Sequence, residues 1–459
     1  MKLGVIILAA GLGTRMKTST PKVLHRILGR PMLSYIIETA QRLKPLRIVV
    51  VTHPMQHQVH DLIAQHGAIK SEQRKMLGTA DAVKTGLKNI GRSCDTVLVV
   101  NGDTPLIQAG TLKSFIGKFS RSRAEVSVLS FHAENPFSYG RIIRDQSGRS
   151  LCIVEQNDLG ENQHSIKEVN SGVYAFKRSA EKYINRISIN KRKSEYYLTD
   201  IVAFASRDES NCKVLQLGDE SEFYGVNTLK DLLTVEKLMQ KRIVEKFMLR
   251  GVRFLDENSV VIHGDVRIDR DTVISPNVSL REGTRIGRGC IIHHGASIKK
   301  SILGANVTVL EGSVINSSTI GGGSVIGPYA HLRPGSKIGK FVKIGNFVEI
   351  KNSFIADHSK ASHLSYIGDA TVGKNVNIGA GTITCNYDGR NKYHTFIEDG
   401  VFVGSDSQLI APVRIGKNAF IAAGSTITKN VLPESLAISR TGQQEIAGWA
   451  KSKRKRRKK

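Results

Sequence analysis

The sequence predicts an α/β domain, a long helix and then a parallel β-helix. In the first half, short β-branched runs alternate with amphipathic segments, which is typical of domains built on a parallel sheet. In the second half, aliphatic residues recur at every sixth position, which indicates a β-helix with one six-residue repeat per face. The chain changes from the first pattern to the second near residue 230.

Three continuous apolar runs mark strands of the first half, at residues 5–8, 48–51 and 97–100. Such runs suit strands that are buried on both faces of a sheet. Residues 32–43 carry apolar side chains at helical spacing and lie between the first two runs. We therefore assign residues 1–228 to a Rossmann-like α/β domain.

Residues 229–249 read as one helix, with apolar residues at three- and four-residue steps and Gly251 just beyond. We interpret residues 229–250 as a connecting helix. A helix that simply closes the first domain explains the same pattern equally well.

The β-helix is assigned to residues 251–450. The six-residue step is unbroken from Val314 to Ile350 and again from Ile397 to Ile427. Its register shifts between residues 350 and 372, and extra residues after Thr384 form a polar loop over residues 386–390. Insertions in repeat folds are often functional, although an ordinary surface loop remains an alternative.

Net charge, cysteine spacing and the absence of long apolar runs limit the classes of function that fit this sequence. The chain has 459 residues, with 67 Lys and Arg against 40 Asp and Glu, a net charge of +27 that predicts an anionic partner. Residues 451–459 form a basic tail that we expect to be disordered. The five cysteines are far apart, which indicates a reducing compartment without disulfides. We expect no membrane span and no signal peptide.

The strongest motif is LAAGLGTRM at residues 8–16, followed by PKVL at residues 21–24. Gly11 and Gly13 let backbone N–H groups approach a phosphate, and Arg15 and Lys22 add positive charge. The spacing matches neither the dinucleotide-binding fingerprint nor a Walker A loop. Asp103 follows the third strand, at the edge where α/β sheets bind ligands, and its carboxylate suits Mg²⁺.

The glycine-rich motif resembles the nucleotidyltransferase signature of sugar-nucleotide pyrophosphorylases. Combined with the hexapeptide half, nearly the whole chain resembles the bacterial bifunctional N-acetylglucosamine-1-phosphate uridylyltransferase/glucosamine-1-phosphate N-acetyltransferase family. The resemblance implies a left-handed β-helix, a homotrimer and a cytoplasmic enzyme that uses Mg²⁺. Its implied substrates are UTP, acetyl-CoA, glucosamine-1-phosphate and N-acetylglucosamine-1-phosphate.

The resemblance also implies the residues of the uridylyltransferase site. Arg15 and Lys22 would be catalytic, and Asp103 and Asn227 would bind the metal. The substrate-binding set is Leu8, Ala9, Ala10, Gly11, Lys22, Gln73, Gly78, Thr79, Asp103, Gly140, Glu155, Asn170 and Asn227. The family usually has Gly-Thr-Gly-His-Ala where this chain has GTADA at residues 78–82, so the loop beside the uracil-reading Gln73 departs from the pattern.

In the second half, acetyl transfer to an amine needs a general base, and histidine suits that role near neutral pH. His363 lies where the hexapeptide register shifts, and its surroundings match the family's catalytic segment. The implied sugar-phosphate residues are Arg333, Lys351, Tyr366 and Asn377. The implied acetyl-CoA contacts are Ala380, Asn386, Tyr387, Ser405, Ala423 and Arg440. In the family, each acetyltransferase site lies between neighbouring subunits.

Two other functions compete with a bifunctional enzyme. A nucleotidyltransferase with a purely regulatory or oligomerising β-helix is disfavoured by His363, the loop at Asn386 and Arg440. A nucleic-acid-binding protein is suggested by the basic tail, but that tail lacks interleaved aromatic residues and no nucleic-acid-binding motif is present. We therefore expect small-molecule substrates and no specific nucleic-acid partner.

Overall fold

The computed structural model describes residues 1–190, 194–208 and 211–456. Contacts between Cα atoms divide the chain into two compact units, Met1–Gln240 and Lys241–Lys459. The boundary falls inside the helix that the sequence predicts at residues 229–249.

Within the described residues, the first unit is built on a nine-stranded mixed sheet and a separate two-stranded hairpin. Its strands are β1 (Leu3–Leu8), β2 (Arg26–Ile27), β3 (Arg30–Pro31), β4 (Arg47–Thr52), β5 (Ile69–Glu72), β6 (Thr96–Asn101), β7 (Val126–His132), β8 (Arg141–Arg144), β9 (Ser150–Val154), β10 (Glu168–Lys177) and β11 (Cys212–Gln216). The main path runs β11-β7-β10-β6-β1-β4-β5, while β8 pairs with β9 and β10. The three predicted strands are confirmed as β1, β4 and β6.

The α-helices in the described residues are α1 (Met32–Gln41), α2 (His57–Gln65), α3 (Thr79–Ile90), α4 (Ala109–Ser120), α5 (Glu181–Arg186), α6 (Asp200–Arg207), α7 (Leu229–Met248) and α8 (Trp449–Arg456). The central strands are buried on both faces, as their continuous apolar runs predict. Val5 and Ile7 belong to one apolar core, and Ile6 belongs to another. Because successive side chains of a strand point to opposite faces, the two cores lie on the two sides of the sheet.

The sheet is parallel around β1, whereas β8 pairs antiparallel with β9 and β10. Strand β10 is antiparallel to both β6 and β7. It also carries a register shift between Asn170 and Val173, which bends the strand next to one of the cavities described below.

The second unit contains three sheets of stacked parallel strands. The first sheet stacks Arg253–Phe254, Val273–Ile274, Ile291–Ile292, Thr308–Val309, Val325–Ile326, Lys343–Asn346, Lys360–His363, Asn377–Ile378, Phe402–Val403, Phe420–Ile421 and Leu436–Ala437. The second stacks Val261–Ile262, Ser279–Arg281, Ser297–Lys299, Val314–Asn316, His331–Leu332, Glu349–Lys351, Tyr366–Gly368, Ile383–Cys385, Gln408–Ile410 and Thr426–Ile427. The third stacks Arg267–Ile268, Arg285–Ile286, Ile302–Leu303, Thr319–Ile320, Lys337–Ile338, Phe354–Ile355, Ala370–Val372, Thr395–Ile397 and Val413–Ile415.

These sheets bury one aliphatic column each, and together the columns form the core of the β-helix. The predicted step of six fails at one point, because Ile315 is fully buried while Val314 is 42% exposed. Ile315 pairs with Ile298 and Leu332 in the neighbouring coils, so the face from Ile315 to Ile320 is one residue short. Two more five-residue faces, Ile350 to Ile355 and Ile367 to Val372, produce the register shift expected in that span.

The polar loop at residues 386–390 belongs to a small excursion closed by an antiparallel bridge between Tyr387 and Lys392. At the C-terminus the tail predicted to be disordered is helical through Arg456, since lysine and arginine are good helix formers. Residues 457–459 of that tail lie outside the described residues. Across residues 1–190, 194–208 and 211–456, no helix is both long and apolar enough to cross a membrane.

Candidate active sites

The first candidate site lies at the topological switch point of the sheet, where the strand order reverses on either side of β1. Strand β1 pairs in parallel with β4 on one side and with β6 on the other, so the loops after β1 and β6 diverge. Ligands of α/β domains bind in the crevice that such divergence opens. The Gly102 N–H donates to the Leu8 carbonyl at 2.8 Å, which holds the Asp103 loop against the glycine-rich loop.

Gly13 allows Lys22 to enter this crevice. Gly13 has φ 66°, a left-handed conformation, and a Cβ added there would lie 2.6 Å from the Lys22 Cβ. At Gly11 the corresponding space is open, and Gly11 lines the cleft. The two glycines therefore act differently, since Gly13 accommodates Lys22 and Gly11 leaves room for a ligand.

Four polar side chains converge in the crevice. The Lys22 Nζ lies 2.5 Å from Asp103 Oδ2 and 3.3 Å from Asn227 Oδ1, and an Arg15 guanidinium nitrogen lies 2.8 Å from the same Asn227 oxygen. The two cations and the two metal-ligand candidates of the predicted site thus form one connected hydrogen-bonded cluster.

The start of α7 fixes Asn227. The N–H groups of Asn227 and Thr228 donate to Asp231 Oδ2 at 3.0 and 2.8 Å. The Asp231 N–H donates in return to Thr228 Oγ1 at 3.2 Å. This is a reciprocal helix cap, and it aims the Asn227 amide at Lys22.

All the predicted uridylyltransferase residues line one of two adjoining cavities. The larger cavity has a volume of about 440 Å³ and contains Leu8, Ala9, Ala10, Gly11, Arg15, Lys22, Gln73, Gly78, Thr79, Asp103 and Asn227. The smaller has a volume of about 240 Å³ and contains Gly140, Glu155 and Asn170, and it shares Asn101, Asp103 and Asn227 with the larger. Sequence reasoning missed Glu195, which lines the larger cavity.

The bend in β10 directs Asn170 into the smaller cavity. The Asn170 carboxamide accepts from the Gly172 N–H at 2.9 Å and donates to the Tyr174 hydroxyl at 2.8 Å. Gly172 has φ 78°, and a Cβ there would lie 2.3 Å from the Asn101 side-chain nitrogen. In the same cavity, burial raises the pKa of Tyr139 to about 12. Tyr139 is therefore a neutral hydroxyl at physiological pH.

The donor set at the crevice fits a hard divalent cation. Asp103 offers a carboxylate oxygen and Asn227 an amide oxygen, and both reach the same point. Magnesium-type sites often use one or two protein oxygens and complete their shell with water and phosphate oxygens. In the described part of the chain, no three His, Cys, Asp or Glu side chains cluster as a self-sufficient metal site.

The second candidate site lies on the β-helix. His363 ends the strand Lys360–His363, and Asn346 lies directly opposite it in the coil below. The His363 Nδ1 lies 2.8 Å from Asn346 Oδ1. An amide oxygen only accepts, so this contact favours the neutral tautomer in which Nδ1–H donates to Asn346 and Nε2 presents a lone pair. Asn346 was missed, although the coil register places it one coil before His363.

Three of the predicted acetyl-CoA contacts, Ala380, Ser405 and Ala423, form a column along one edge of the β-helix. Ala361, Ile378, Val403 and Ile421 pair in successive coils. His363, Ala380, Ser405 and Ala423 each lie two residues after these partners, so they stack in the same order. Arg440 closes the column by donating to the Ala423 carbonyl at 2.7 Å. At about 4.8 Å per strand, His363 and Ala423 are separated by roughly 14 Å.

Lys351 and Tyr366 lie on neighbouring strands of the second sheet, and Arg333 directly follows the strand His331–Leu332, one coil before Lys351. Arg333 donates to Glu349 at 2.7 Å, and the Lys351 Nζ lies 3.7 Å from Asp369 Oδ2. Burial raises the pKa of Asp369, but hydrogen bonds from Asn352 and Asn386 together with Lys351 outweigh that effect and hold its pKa below the ordinary value. Asn377 lies on the first sheet, and the Tyr387 side chain is 60% exposed on the loop.

Family comparisons agree with both halves. Residues 5–161 match the MobA-like NTP transferase domain, residues 257–336 match the GMPPB C-terminal domain, and residues 394–429 match the bacterial transferase hexapeptide (six repeats). The bifunctional protein GlmU of Thermodesulfovibrio yellowstonii is 48% identical over 99% of this chain and 100% of its own length. The chain belongs to the bifunctional GlmU family. GlmU proteins of Trichlorobacter lovleyi and Alkaliphilus metalliredigens are 43% and 42% identical, over 98% and 99% of this chain and 98% and 99% of their own lengths.

As a GlmU family member, the chain is a bifunctional enzyme of UDP-N-acetylglucosamine synthesis. It acetylates glucosamine-1-phosphate with acetyl-CoA, and it transfers UMP from UTP to N-acetylglucosamine-1-phosphate with release of pyrophosphate. The left-handed hexapeptide β-helix is confirmed, and a purely regulatory role for it is excluded. The nucleotidyltransferase half uses a divalent metal ion, the substrates are small molecules, and the β-helix indicates an oligomer.

Proposed function

We propose that the crevice after β1 and β6 carries out uridylyl transfer, with Mg²⁺ held by Asp103 and Asn227. The observation that supports this is the convergence of Asp103, Asn227, Lys22 and Arg15 on one point beside an open glycine loop. When bound, the metal would neutralise phosphate charge as a Lewis acid. The chain itself supplies no nucleophile, because the phosphate of the sugar attacks the α-phosphorus and pyrophosphate leaves.

The remaining residues of that site position the two substrates. The backbone around Gly11 holds phosphate, and Lys22 and Arg15 neutralise the charge that builds up on the phosphates during transfer. Gln73, Gly78 and Thr79 bind the base of UTP, because they line the larger cavity away from the sugar pocket. Gly140, Glu155 and Asn170 bind the sugar in the smaller cavity.

Comparing Asp103→Ala with Asp103→Asn tests this assignment. We expect pyrophosphate release from UTP to fall by orders of magnitude in both variants, because each removes the carboxylate charge. Asp61→Ala is a matched control, because it removes an exposed carboxylate outside both cavities. Raising Mg²⁺ should partly restore Asp103→Asn, which keeps one oxygen, and leave Asp103→Ala inactive. Near-normal turnover by Asp103→Ala would remove Asp103 from the metal site.

In the second half, we propose that His363 is the general base of acetyl transfer. Its Nε2 takes one proton of the substrate ammonium, and the amine attacks the thioester carbonyl carbon of acetyl-CoA. The C–S bond then breaks, coenzyme A leaves as its thiol with the proton from His363, and the new amide nitrogen loses its remaining extra proton to water. Arg333, Lys351, Tyr366 and Asn377 bind the sugar phosphate. Ala380, Ser405, Ala423 and Arg440 bind acetyl-CoA along the column that leads away from His363, which supports an extended cofactor pose, and Asn386 and Tyr387 bind it from the loop at residues 386–390.

We propose that the active assembly is a homotrimer with its acetyltransferase sites between subunits. In support of this, the sugar-phosphate residues are divided between sheets, with Lys351 and Tyr366 on the second sheet and Asn377 on the first sheet with His363. Light scattering should give three times the mass of one chain. A monomer with full acetyltransferase activity would contradict the proposal. We further propose a cytoplasmic location, where UTP and acetyl-CoA are available and where the five free cysteines stay reduced.

A further inference from the structure

Asp81, which departs from the usual family sequence, directly contacts Gln73, the proposed base-binding residue. Gln73 follows β5, its own N–H donates to the Thr52 carbonyl at 2.9 Å, and its side chain is almost completely buried in the wall of the larger cavity. The Gln73 Nε2 donates to the Gly78 carbonyl at 3.2 Å and to Asp81 Oδ2 at 2.8 Å. Asp81 lies in the first turn of α3, where a carboxylate is favoured.

This pair of contacts fixes which way the Gln73 amide points. A primary amide has two N–H hydrogens, and the Gly78 carbonyl and the Asp81 carboxylate use both. The Gln73 Oε1 accepts no hydrogen bond from the described residues, and it is not among the buried polar atoms left without a partner. It is therefore open to the cavity. The flipped amide would place Oε1 against two acceptors, so the network excludes it.

We propose that Asp81 is a positioning residue that makes this chain select a nucleobase with an imide N–H. With Asp81 in place, Gln73 presents only an acceptor to the cavity. The N3 atom of uracil carries a hydrogen and can donate to Gln73 Oε1, whereas N3 of cytosine carries a lone pair. A cytosine base would leave two acceptors facing each other without water, which is a strong ground for rejection.

The proposal rests on the proposed role of Gln73 at the base, and it goes beyond that role. Gly78 alone engages one of the two N–H hydrogens. Without the Asp81 acceptor the amide gains freedom to turn its Nε2 toward the cavity. An amide that turns this way can donate to cytosine N3, so loss of Asp81 should raise the use of CTP while it lowers the use of UTP.

The test compares Asp81→Ala, Asp81→Leu, Asp81→Asn and Gln73→Ala in the full-length protein. The measured quantity is kcat/KM for UTP and for CTP with N-acetylglucosamine-1-phosphate, with acetyl transfer as a check on each preparation. We expect Asp81→Ala and Asp81→Leu to reduce the UTP preference about tenfold or more, in keeping with loss of a hydrogen bond to a charged group. We expect CTP use to rise in absolute terms, which unfolding cannot produce.

Asp81→Asn separates positioning from helix-terminal charge. Its amide oxygen still accepts from Gln73, so the UTP preference should return to within about threefold of wild type. If Asp81 acted only as a negative charge at the start of α3, then Asp81→Asn, Asp81→Ala and Asp81→Leu would all lose that effect equally. Such a loss would lower UTP and CTP use in parallel.

A UTP preference that stays within twofold of wild type in both Asp81→Ala and Asp81→Leu would overturn the inference, as would equal loss of preference in Asp81→Asn. These results would leave the proposed function intact as long as Gln73→Ala strongly reduces UTP use. If Gln73→Ala instead uses UTP like wild type, Gln73 does not bind the base, and the base-binding assignment in the proposed function falls together with the inference.

Discussion

Replacing Asn346 tests how the β-helix holds its general base. Asn346 and His363 are opposite each other in adjacent coils, with Oδ1 and Nδ1 2.8 Å apart. The contact keeps the proton on Nδ1 and leaves Nε2 free to accept one. In Asn346→Ala the imidazole can place its proton on Nε2 and can rotate, so a smaller fraction of the enzyme is competent.

The size of the effect follows from the strength of the contact. A neutral hydrogen bond contributes about 0.5–1.5 kcal/mol net, which corresponds to roughly a 2- to 13-fold change. We therefore expect Asn346→Ala to lower kcat for acetyl transfer by up to about tenfold. The KM for acetyl-CoA should stay unchanged, because its proposed contacts begin one coil further along, at Ala380.

Asn346→Asp gives a second, independent readout. The carboxylate still accepts from Nδ1, but its negative charge favours the protonated imidazole. The acidic limb of the kcat/KM profile should therefore move to higher pH, by on the order of one unit, while the plateau stays near the wild-type value. Thiol release from acetyl-CoA with glucosamine-1-phosphate measures both variants. A kcat within twofold of wild type for Asn346→Ala, together with an unmoved limb for Asn346→Asp, would refute the reasoning.

Three further predictions follow. Gly13→Ala should reduce uridylyl transfer at least tenfold without changing acetyl transfer, because a Cβ would collide with Lys22 and the left-handed φ would be strained; pyrophosphate and thiol assays on one preparation would show it. Chelation by EDTA should stop pyrophosphate release but not thiol release, and loss of both would place a metal requirement in the β-helix as well. Burial raises the pKa of Glu168, but hydrogen bonds from Arg144 and Ser130 outweigh burial and hold that pKa below its ordinary value. The ionised Glu168 therefore stabilises the folded protein above the unfolded pKa of about 4.3, and this stabilisation is lost as pH falls through the lower folded value. The denaturant midpoint of Glu168→Gln should accordingly fall less than that of wild type between about pH 5 and pH 3.

The repeat pattern predicted the β-helix but not its detailed register. Val314 and Ile315 are both aliphatic, so an unbroken step of six could run through Val314 on paper. Only stacking against Ile298 and Leu332 decides that Ile315 points inward. A five-residue face is recognised once each coil has neighbours, because cross-coil pairing and not the local sequence sets the phase.

Site residues were predictable where they belong to one contiguous motif. They were not predictable where their contacts are made by residues far away in the sequence. The glycine loop and Asp103 each follow a buried strand, and their meeting follows from the topology of a parallel sheet. Asp81 was noticed as a departure, but its bond to Gln73 depends on how α3 packs beside β5. Glu195 carries no local signal. Strand β10 gave no sign of running antiparallel, because its run from Val173 to Phe176 is continuous and buried on both faces, like the runs of the parallel strands.

The central claim is that two chemically independent sites lie in one chain, one around Asp103 and one around His363. Measuring pyrophosphate release and thiol release on Asp103→Ala and His363→Ala tests it most directly. We predict reciprocal losses: Asp103→Ala loses uridylyl transfer and keeps acetyl transfer, whereas His363→Ala loses acetyl transfer by about 10²–10⁴-fold and keeps uridylyl transfer from supplied N-acetylglucosamine-1-phosphate. Equal loss of both activities in either variant, or acetyl transfer by His363→Ala within about twofold of wild type, far short of the general-base range, would contradict it.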